Sequence, residues 1–234
     1  MRSLSGDGLF SNPAQPREPR SSLDFLYPLP LPPLFHVKPH WIRAAEYVGL
    51  DLQPGQIETM ERYGLWLTGE AMRAGGIGPD ESERIDQRHL ADSILFATEI
   101  PDDARDVWDL GSGAGLPGIP LAICLPEKEI VLVDRAGRRV DLLRRAVRIL
   151  GLANCSVCHR DIADLSGDVD VIVSRASLPP EELLPVARSH LRPGGTAINA
   201  GSWRSRPDHD GWTTIEIPPH VLDQTVWLLI MRQE

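Results

Sequence analysis

The chain has 234 residues, of which 42% are hydrophobic and 24% charged, and its formal net charge at pH 7 is −9. This balance is typical of a globular protein, and no apolar run approaches the ~18–20 residues that would cross a bilayer. The acidity argues against a general polyanion binder, because binding through counterion release needs many lysines and arginines facing phosphate. The cysteines are too few for a disulfide framework, and the first residues lack the pattern of a signal peptide, so we expect a cytoplasmic protein.

The N-terminal part of the chain divides into two regions. Residues 1–40 are punctuated by proline, serine and glycine, as in "SNPAQPREPRSS", which predicts a partly disordered or strap-like extension. Apolar residues then recur at spacings of three or four from Trp41 to Ala74, which predicts helix. A loop is predicted at Ala74–Ser82 and a further helix at Glu83–Ile100, so residues 41–100 are expected to form a helical region.

Beyond Pro101 the pattern changes to short apolar strands that alternate with helices. Strands are predicted at 106–110, 129–134, 155–161, 169–176 and 196–201, helices at 118–125, 135–151 and 179–191, and two final strands at 213–218 and 224–233. Such alternation predicts an α/β fold in which helices cover both faces of a parallel sheet. For residues 101–234 we therefore predict a doubly wound, Rossmann-like sheet, mostly parallel with an antiparallel C-terminal hairpin.

The helix predicted at 135–151 carries both a buried stripe and a basic face. The stripe consists of Val140, Leu143, Val147 and Leu150, and Gly151 follows where a helix-ending glycine belongs. The basic residues are Arg135, Arg138, Arg139, Arg144, Arg145 and Arg148, against the single acid Asp141. They indicate either a local contact to nucleic acid or an ordinary solvated face.

Cys155 and Cys158 form a Cys-x-x-Cys pair in "NCSVCHRD". A redox or zinc site is one interpretation. Because no second pair is present, we favour the alternative that both are small hydrophobic residues around a strand, and we predict no metal site.

The most informative segment is "DLGSGAGLPGIPLAI", Asp109–Ile123, in which a glycine-rich turn joins the first predicted strand to a helix. Such a turn places backbone N–H groups and a helix N-terminus beside a ligand. Gly113–Gly118 fits the dinucleotide pattern G-x-G-x-x-G, but in that pattern the first glycine follows the strand almost directly. Here Gly111 comes first, so the frame D-x-G-x-G-x-G is the better match. It resembles the first motif of the class I S-adenosylmethionine methyltransferases.

Three acids stand at the ends of three successive predicted strands. Asp109 suits the ammonium group of S-adenosylmethionine, Asp134 the ribose hydroxyls and Asp161 the adenine amino group. The carboxyl ends of parallel strands meet at one crevice, where open α/β sheets bind ligands. The alternative for each acid alone is a helix N-cap. Together the three favour S-adenosylmethionine over NAD as the cofactor.

Longer segments resemble one known family. The segments "RHLADS" at 88–93, the glycine turn, "LVD" before the basic helix, "LGLAN" at 150–154, "SRA" at 174–176 and "RPGG" at 192–195 occur in this order. From about Gln56 to the C-terminus the chain resembles the RsmG (GidB) family of bacterial small-subunit rRNA guanine-N7 methyltransferases. The resemblance implies a class I methyltransferase fold with a helical N-terminal extension, S-adenosylmethionine as cofactor, and small-subunit rRNA or the 30S subunit as partner. We also expect a monomer that contacts no membrane.

On this basis the site residues can be assigned as expectations. The predicted cofactor-binding residues are Asp109, Gly111, Ser112, Gly113, Gly115, Leu116, Pro117, Asp134, Arg135, Asp161, Ile162 and Arg175. Guanine N7 has an exposed lone pair and carries no proton, so its methylation needs no general base and depends on positioning and electrostatics. Arg175 and Arg160 are the predicted catalytic residues, because a planar guanidinium group can hold guanine or phosphate. A structural salt bridge is the alternative for Arg175.

His89 and Asp92 share a helix face and are expected either to shape the cofactor cleft or to form a helix hydrogen-bond network.

The chain also departs from the family pattern. The Asn-Leu-Thr signature before "RH" is missing, Ala200-Gly201 stands where the family commonly has Lys-Gly, and Arg160-Asp161-Ile162 replaces Arg-x-Glu. An alternative hypothesis is therefore a homologue that binds S-adenosylmethionine but acts on another RNA or a small molecule, or is not catalytic.

Overall fold

The computed structural model describes residues 38–201, 203 and 205–234. The extension predicted at 1–40 therefore lies almost wholly outside the described residues. Within the described ranges, no helix has the length and apolar character needed to cross a membrane.

The described chain begins with two helices, α1 at His40–Tyr47 and α2 at Pro54–Trp66, the second extended by a π-helical turn at Leu67–Ala71. Helix is confirmed within 41–74, but it is interrupted. Gly49 has a φ of +78°, a left-handed conformation that ends α1. Pro54 occupies the first position of α2, where its missing N–H is not needed.

The segment between Ala74 and Ile100 is more helical than predicted, and it is divided into short pieces. The loop predicted at 74–82 is wrong from Pro79 onward, where a proline at the first position and acids in the first turn begin a 3-10 helix. Helical structure is confirmed across 85–99. The pieces are the 3-10 helix Pro79–Arg84, a π-helix at Ile85–Ala91, α3 at Asp92–Ile94 and a 3-10 helix at Leu95–Glu99.

The remainder of the chain forms a seven-stranded sheet with helices between the strands. In chain order the elements are β1 at Asp106–Leu110, α4 at Gly118–Cys124, β2 at Glu129–Asp134, α5 at Gly137–Leu150, β3 at Cys155–His159, β4 at Val169–Arg175, α6 at Pro180–His190, β5 at Leu191–Ala200, β6 at Thr213–Ile217, α7 at Pro219–Leu222 and β7 at Val226–Arg232. The strand order is β3-β2-β1-β4-β5-β7-β6. Neighbouring strands are parallel except β7, which is antiparallel to β5 and β6. The predicted doubly wound sheet with its antiparallel hairpin is confirmed.

Helices cover both faces of this sheet. On one face, α4 and α5 pack with α1 and α2 into the larger hydrophobic cluster, which includes Met60, Ile119 and Leu143. On the other face, Leu183 and Ala187 of α6 pack against sheet residues. The strand order reverses between β1 and its neighbours β2 and β4, so a crevice opens where the carboxyl ends of these strands diverge.

Strand β5 begins five residues earlier than its apolar run predicts, because "RPGG" lies inside it rather than before it. Leu191 pairs with Val169 and Thr196 with Val171, so four residues of β5 lie opposite one of β4, and three extra residues bulge from the ladder. The Arg192 side chain bonds Asp106 and Asp170 and so holds this bulge against the sheet.

Helix α5 confirms most of its predicted stripe. Val140, Leu143 and Leu150 are buried, whereas Val147 is only half-buried. Leu142 and Ala146 are buried in addition, so the stripe is wider than predicted. Gly151 ends the helix with a φ of +70°.

The two cysteines of the Cys-x-x-Cys pair lie on strand β3. Cys155 packs in the larger hydrophobic cluster and Cys158 against the smaller one, on the opposite face of the sheet. Side chains three positions apart on a strand point to opposite faces, so this spacing does not build a shared site here.

Candidate functional site

A cavity of about 740 Å³ lies at the carboxyl ends of β1, β2 and β4, at the strand-order reversal. The predicted residues that line it are Gly111, Ser112, Gly113, Leu116, Asp134, Arg135, Arg160, Asp161, Ile162 and Arg175. Asp109 lies in β1 and Gly115 and Pro117 in the turn that follows, and none of the three is among the lining residues. In the described part of the chain, no group of three or more His, Cys, Asp or Glu side chains could hold a metal ion.

The glycine turn presents open backbone to this cavity at Gly113. Its φ is +59°, and a Cβ added there would approach nothing closer than 3.9 Å. The Gly113 N–H donates to Oδ2 of Asp134 at 3.1 Å, while the N–H groups of Gly111 and Ser112 donate to the Val133 carbonyl. The turn after β1 is thus tied to the end of β2, and its free side faces the cavity.

Behind the turn, Gly118 is required for close packing. A Cβ at Gly118 would lie 2.2 Å from Cδ2 of Leu132 and 2.7 Å from Oδ2 of Asp109, so no larger residue fits without movement. The Gly118 N–H donates to the same Asp109 oxygen at 2.9 Å. Helix α4 therefore begins on a carboxylate from β1.

Asp109 is completely buried. Burial raises the pKa of its carboxyl group to about 7, against the lowering effect of the Gly118 N–H. Its Oδ1 atom is also buried and has no hydrogen-bond partner. The structure thus places Asp109 as the acceptor at the start of α4, while its predicted contact to an ammonium group stays a prediction.

Asp134 is buried at the end of β2 and lines the cavity. Besides the Gly113 bond, its Oδ1 accepts the Ala136 N–H at 2.9 Å, and Arg139 Nη1 lies 3.7 Å from Oδ2. Two backbone bonds hold the carboxylate still without using all of its lone pairs. It can therefore accept further hydrogen bonds from a ligand.

Asp161 differs in being only half-buried and in capping a short 3-10 helix at Ile162–Asp164. Its Oδ1 accepts the Ala163 N–H at 3.1 Å, and Arg135 Nη1 lies 3.4 Å from Oδ2. The Ala163 N–H, together with Arg135, lowers the pKa of Asp161 below its ordinary value. The N-cap alternative is thus present, and because Asp161 also lines the cavity, its predicted contact to adenine stays a prediction.

Arg175, at the end of β4, bonds the N-terminal helical region across the cavity wall. Its Nη1 donates to the Arg88 carbonyl at 2.9 Å and its Nη2 to Nδ1 of His89 at 3.0 Å. His89 Nδ1 must then accept, so its proton is on Nε2 and donates to Glu81 Oε2 at 3.0 Å. Burial and the nearby Arg175 lower the pKa of His89 to about 4, which keeps the ring neutral.

These contacts bear on the alternatives given above for Arg175 and for the pair His89 and Asp92. Among the described residues, Arg175 has no carboxylate within salt-bridge distance, so the structural salt bridge is not formed. His89 lines the cavity and is hydrogen-bonded within it, whereas Asp92 lies outside that lining. Arg160, the other predicted catalytic residue, is exposed at the cavity.

Sequence reasoning missed several lining residues. Ser177 donates to the Leu110 carbonyl at 2.7 Å and contacts Gly111 so closely that a Cβ there would lie 2.6 Å from Ser177 Cβ. Ser177 could have been predicted from the sequence, because it comes just after β4, the strand that pairs with β1. Nothing in the sequence pattern indicates that Gly76, Ile77 and Glu81, from the N-terminal region, lie over the sheet.

The strand order, with its single antiparallel strand, and the glycine turn after β1 define the class I methyltransferase fold. A family model described as rRNA small subunit methyltransferase G (GidB) matches residues 56–203. The chain belongs to this family.

Named relatives agree with this assignment. The ribosomal RNA small subunit methyltransferase G of Acidothermus cellulolyticus is 38% identical over 137 residues, covering 58% of this chain and 61% of that protein. The protein of the same name from Mycobacterium leprae strain TN is 40% identical over 147 residues, covering 61% and 60%. The chain thus spans about three fifths of the length of these curated relatives.

Among solved structures, TrmN from Thermus thermophilus is 18% identical with a TM-score of 0.46, covering 62% of this chain and 48% of that one.

Proposed function

We propose that this chain binds S-adenosylmethionine in the 740 Å³ cavity and transfers its methyl group to N7 of a guanine in small-subunit rRNA. The observation that carries the proposal is the juxtaposition, in a chain of this family, of the open Gly113 backbone with Asp134 and Asp161 in one cavity. The proposed substrate also makes the cytoplasm the expected location and rRNA or the 30S subunit the expected partner.

The residues present fit this cofactor better than a dinucleotide. A dinucleotide places its pyrophosphate at the N-terminus of the helix after the first strand. Here the Gly118 N–H at that N-terminus already donates to Asp109 and so is not open to a phosphate. S-adenosylmethionine carries no phosphate, and its cationic and hydroxyl groups suit a cavity lined by four acids, Glu81, Asp134, Asp161 and Glu182.

The chain's own residues divide the proposed task. When bound, S-adenosylmethionine would supply an electrophilic methyl group to the N7 lone pair, and its sulfur would keep both electrons of the bond that it loses. Asp134 and the glycine turn would hold the cofactor, and Arg160, exposed at the cavity, would contact guanine or its phosphate. Arg175 is held by Arg88 and His89, so it is preorganised rather than mobile. No proton has to be removed from N7.

A second candidate is a methyltransferase retargeted to another acceptor, which the replacement of Lys-Gly by Ala200-Gly201 favours. The two candidates differ in substrate and agree on the cofactor. They are separated by incubating the protein with methyl-labelled S-adenosylmethionine and either undermethylated 30S subunits or 50S subunits. Label on 30S alone supports the rRNA proposal, label on 50S supports retargeting to another RNA, and label on neither contradicts methylation of rRNA.

Cofactor binding, the first part of the proposal, can be tested by calorimetric titration with S-adenosylhomocysteine. We expect micromolar binding to the wild type and its loss in Gly113→Arg, because the new side chain would project into the cavity. Gly49→Arg is the matched control, since Gly49 also has positive φ and open space but lies in the turn after α1. Equal binding by all three proteins, or no binding by the wild type, would contradict the assignment of this cavity.

A further inference from the structure

A second, smaller cavity of about 230 Å³ adjoins the cofactor cavity. Glu81, His89, Arg175 and Ala176 line both, so they form a shared wall. Asp92 lines only the smaller cavity and therefore stands on the side away from the proposed cofactor.

Two buried polar atoms at this smaller cavity lack partners in the structure. They are Oδ1 of Asp92 and Nε of Arg175. Burial raises the pKa of the Asp92 carboxyl group to about 6, although the nearby Arg175 and Arg88 act to lower it. A buried acceptor without a donor costs free energy, and a ligand that supplied N–H groups would recover it. The cavity is thus lined by a carboxylate that has an unsatisfied acceptor atom.

The rest of the lining suits a flat apolar ring. Ala200 ends β5, and Val226 and Leu228 are alternate residues on one face of β7. Among the RNA bases, guanine alone offers two adjacent donors on its Watson–Crick edge, N1–H and the N2 amino group, to one carboxylate. Adenine offers a donor beside an acceptor there. Bases taken out of a stack are commonly read along this edge.

We propose that the smaller cavity receives the acceptor guanine and that Asp92 selects it by accepting N1–H and N2–H. The inference rests on the proposed function. Because N7 lies across the purine from N1 and N2, a base held by Asp92 presents N7 to the shared wall and the cofactor cavity. Methylation leaves a positive charge on the purine, so the carboxylate also stabilises the transition state more than the ground state.

Asp92→Asn tests the proposal, with Asp80→Asn as the matched control. Asp80 is an exposed carboxylate in the 3-10 helix at Pro79–Arg84 and lines neither cavity. We expect Asp92→Asn to lower kcat/KM for methyl transfer to undermethylated 30S subunits by about 10- to 100-fold, the value of one bidentate base contact. Its affinity for S-adenosylhomocysteine and its thermal midpoint should stay near those of the wild type.

A second measurement separates base reading from a structural role. An asparagine can accept N1–H through its oxygen, but its NH2 group faces the N2 amino group of guanine, donor against donor. Inosine keeps N1–H and N7 and lacks the N2 amino group, so on 30S subunits that carry inosine at the methylated position, mapped with the wild type, the deficit of Asp92→Asn relative to the wild type should shrink.

Wild-type rates for Asp92→Asn on guanosine would overturn the proposal. So would a loss that cofactor affinity shares, or a deficit on inosine as large as that on guanosine. A wild type that binds S-adenosylhomocysteine but methylates no 30S subunit would instead refute the proposed function itself, before any variant is compared.

Discussion

At the scale of single residues, the carboxylate of Asp109 carries an unusual electrostatic cost. It is completely buried, it bonds the Gly118 N–H through one oxygen, and its other oxygen has no partner. Burial raises its pKa to about 7, so between about pH 4 and 7 the folded protein keeps a proton that the unfolded chain releases. The folded state therefore loses stability as pH rises through this range.

Asp109→Asn should remove this pH dependence. The amide oxygen can still accept the Gly118 N–H, but the side chain cannot ionise. We expect the difference in unfolding free energy, variant minus wild type, to rise by about 2–4 kcal/mol between pH 4 and 7. Urea denaturation at a series of pH values measures it, with exposed Asp80→Asn as a control expected to change by less than about 0.5 kcal/mol. A difference independent of pH would contradict the buried-acid account.

Residue-level prediction succeeded where a residue's place follows from its strand. Gly113, Asp134 and Asp161 could be placed at the cavity because each follows a recognisable strand. The bond between His89 and Arg175 could not, because it joins side chains 86 positions apart whose meeting depends on how the helical region packs.

At the scale of elements, apolar runs predicted strands well and helix ends less well. Strands buried on both faces are continuous and apolar, so β1, β2 and β4 matched their predictions closely. The start of β5 was missed because its first residues are the polar, glycine-containing bulge that Arg192 holds. Residues 79–99 form short pieces of different helix types, so their apolar residues show no single helical period from which the helix ends could be predicted.

Helix ends give a paired test of glycine. Gly151 has a φ of +70° at the end of α5, whereas Gly55 lies in the first turn of α2 with ordinary φ; a Cβ at either would meet open space. Gly151→Ala should therefore destabilise the protein by about 1 kcal/mol, and Gly55→Ala should stabilise it by about 0.4–1 kcal/mol. Thermal or urea unfolding measures both, and equal effects of the same sign would contradict the cap assignment.

At the level of the whole molecule, the net charge is −9, yet the surface beside the cavity is locally basic. The arginines of α5 are exposed, and Arg138 lines a hollow that shares Gly76, Arg135 and Arg139 with the cofactor cavity. Arg145 is paired with Glu70. This arrangement supports an RNA contact at the mouth of the proposed site, which the total charge alone argues against.

Arg138→Gln should weaken binding to 30S subunits without changing affinity for S-adenosylhomocysteine. Removing one phosphate contact should reduce the slope of log K against log salt by about 1. Arg105→Gln is the matched control, because Arg105 is exposed just before β1, at the end of the strands away from the cavity. Equal salt slopes for the two variants would place the RNA contact elsewhere.

Methyl transfer to guanine N7 in small-subunit rRNA, the proposed reaction, can be checked by identifying the product nucleoside. Undermethylated 30S subunits would be incubated with the protein and methyl-labelled S-adenosylmethionine, and the rRNA digested to nucleosides. We expect label in 7-methylguanosine alone, absent when Gly113→Arg replaces the wild type. Label in another nucleoside, or none in rRNA from a wild type that binds S-adenosylhomocysteine, would refute the proposed reaction.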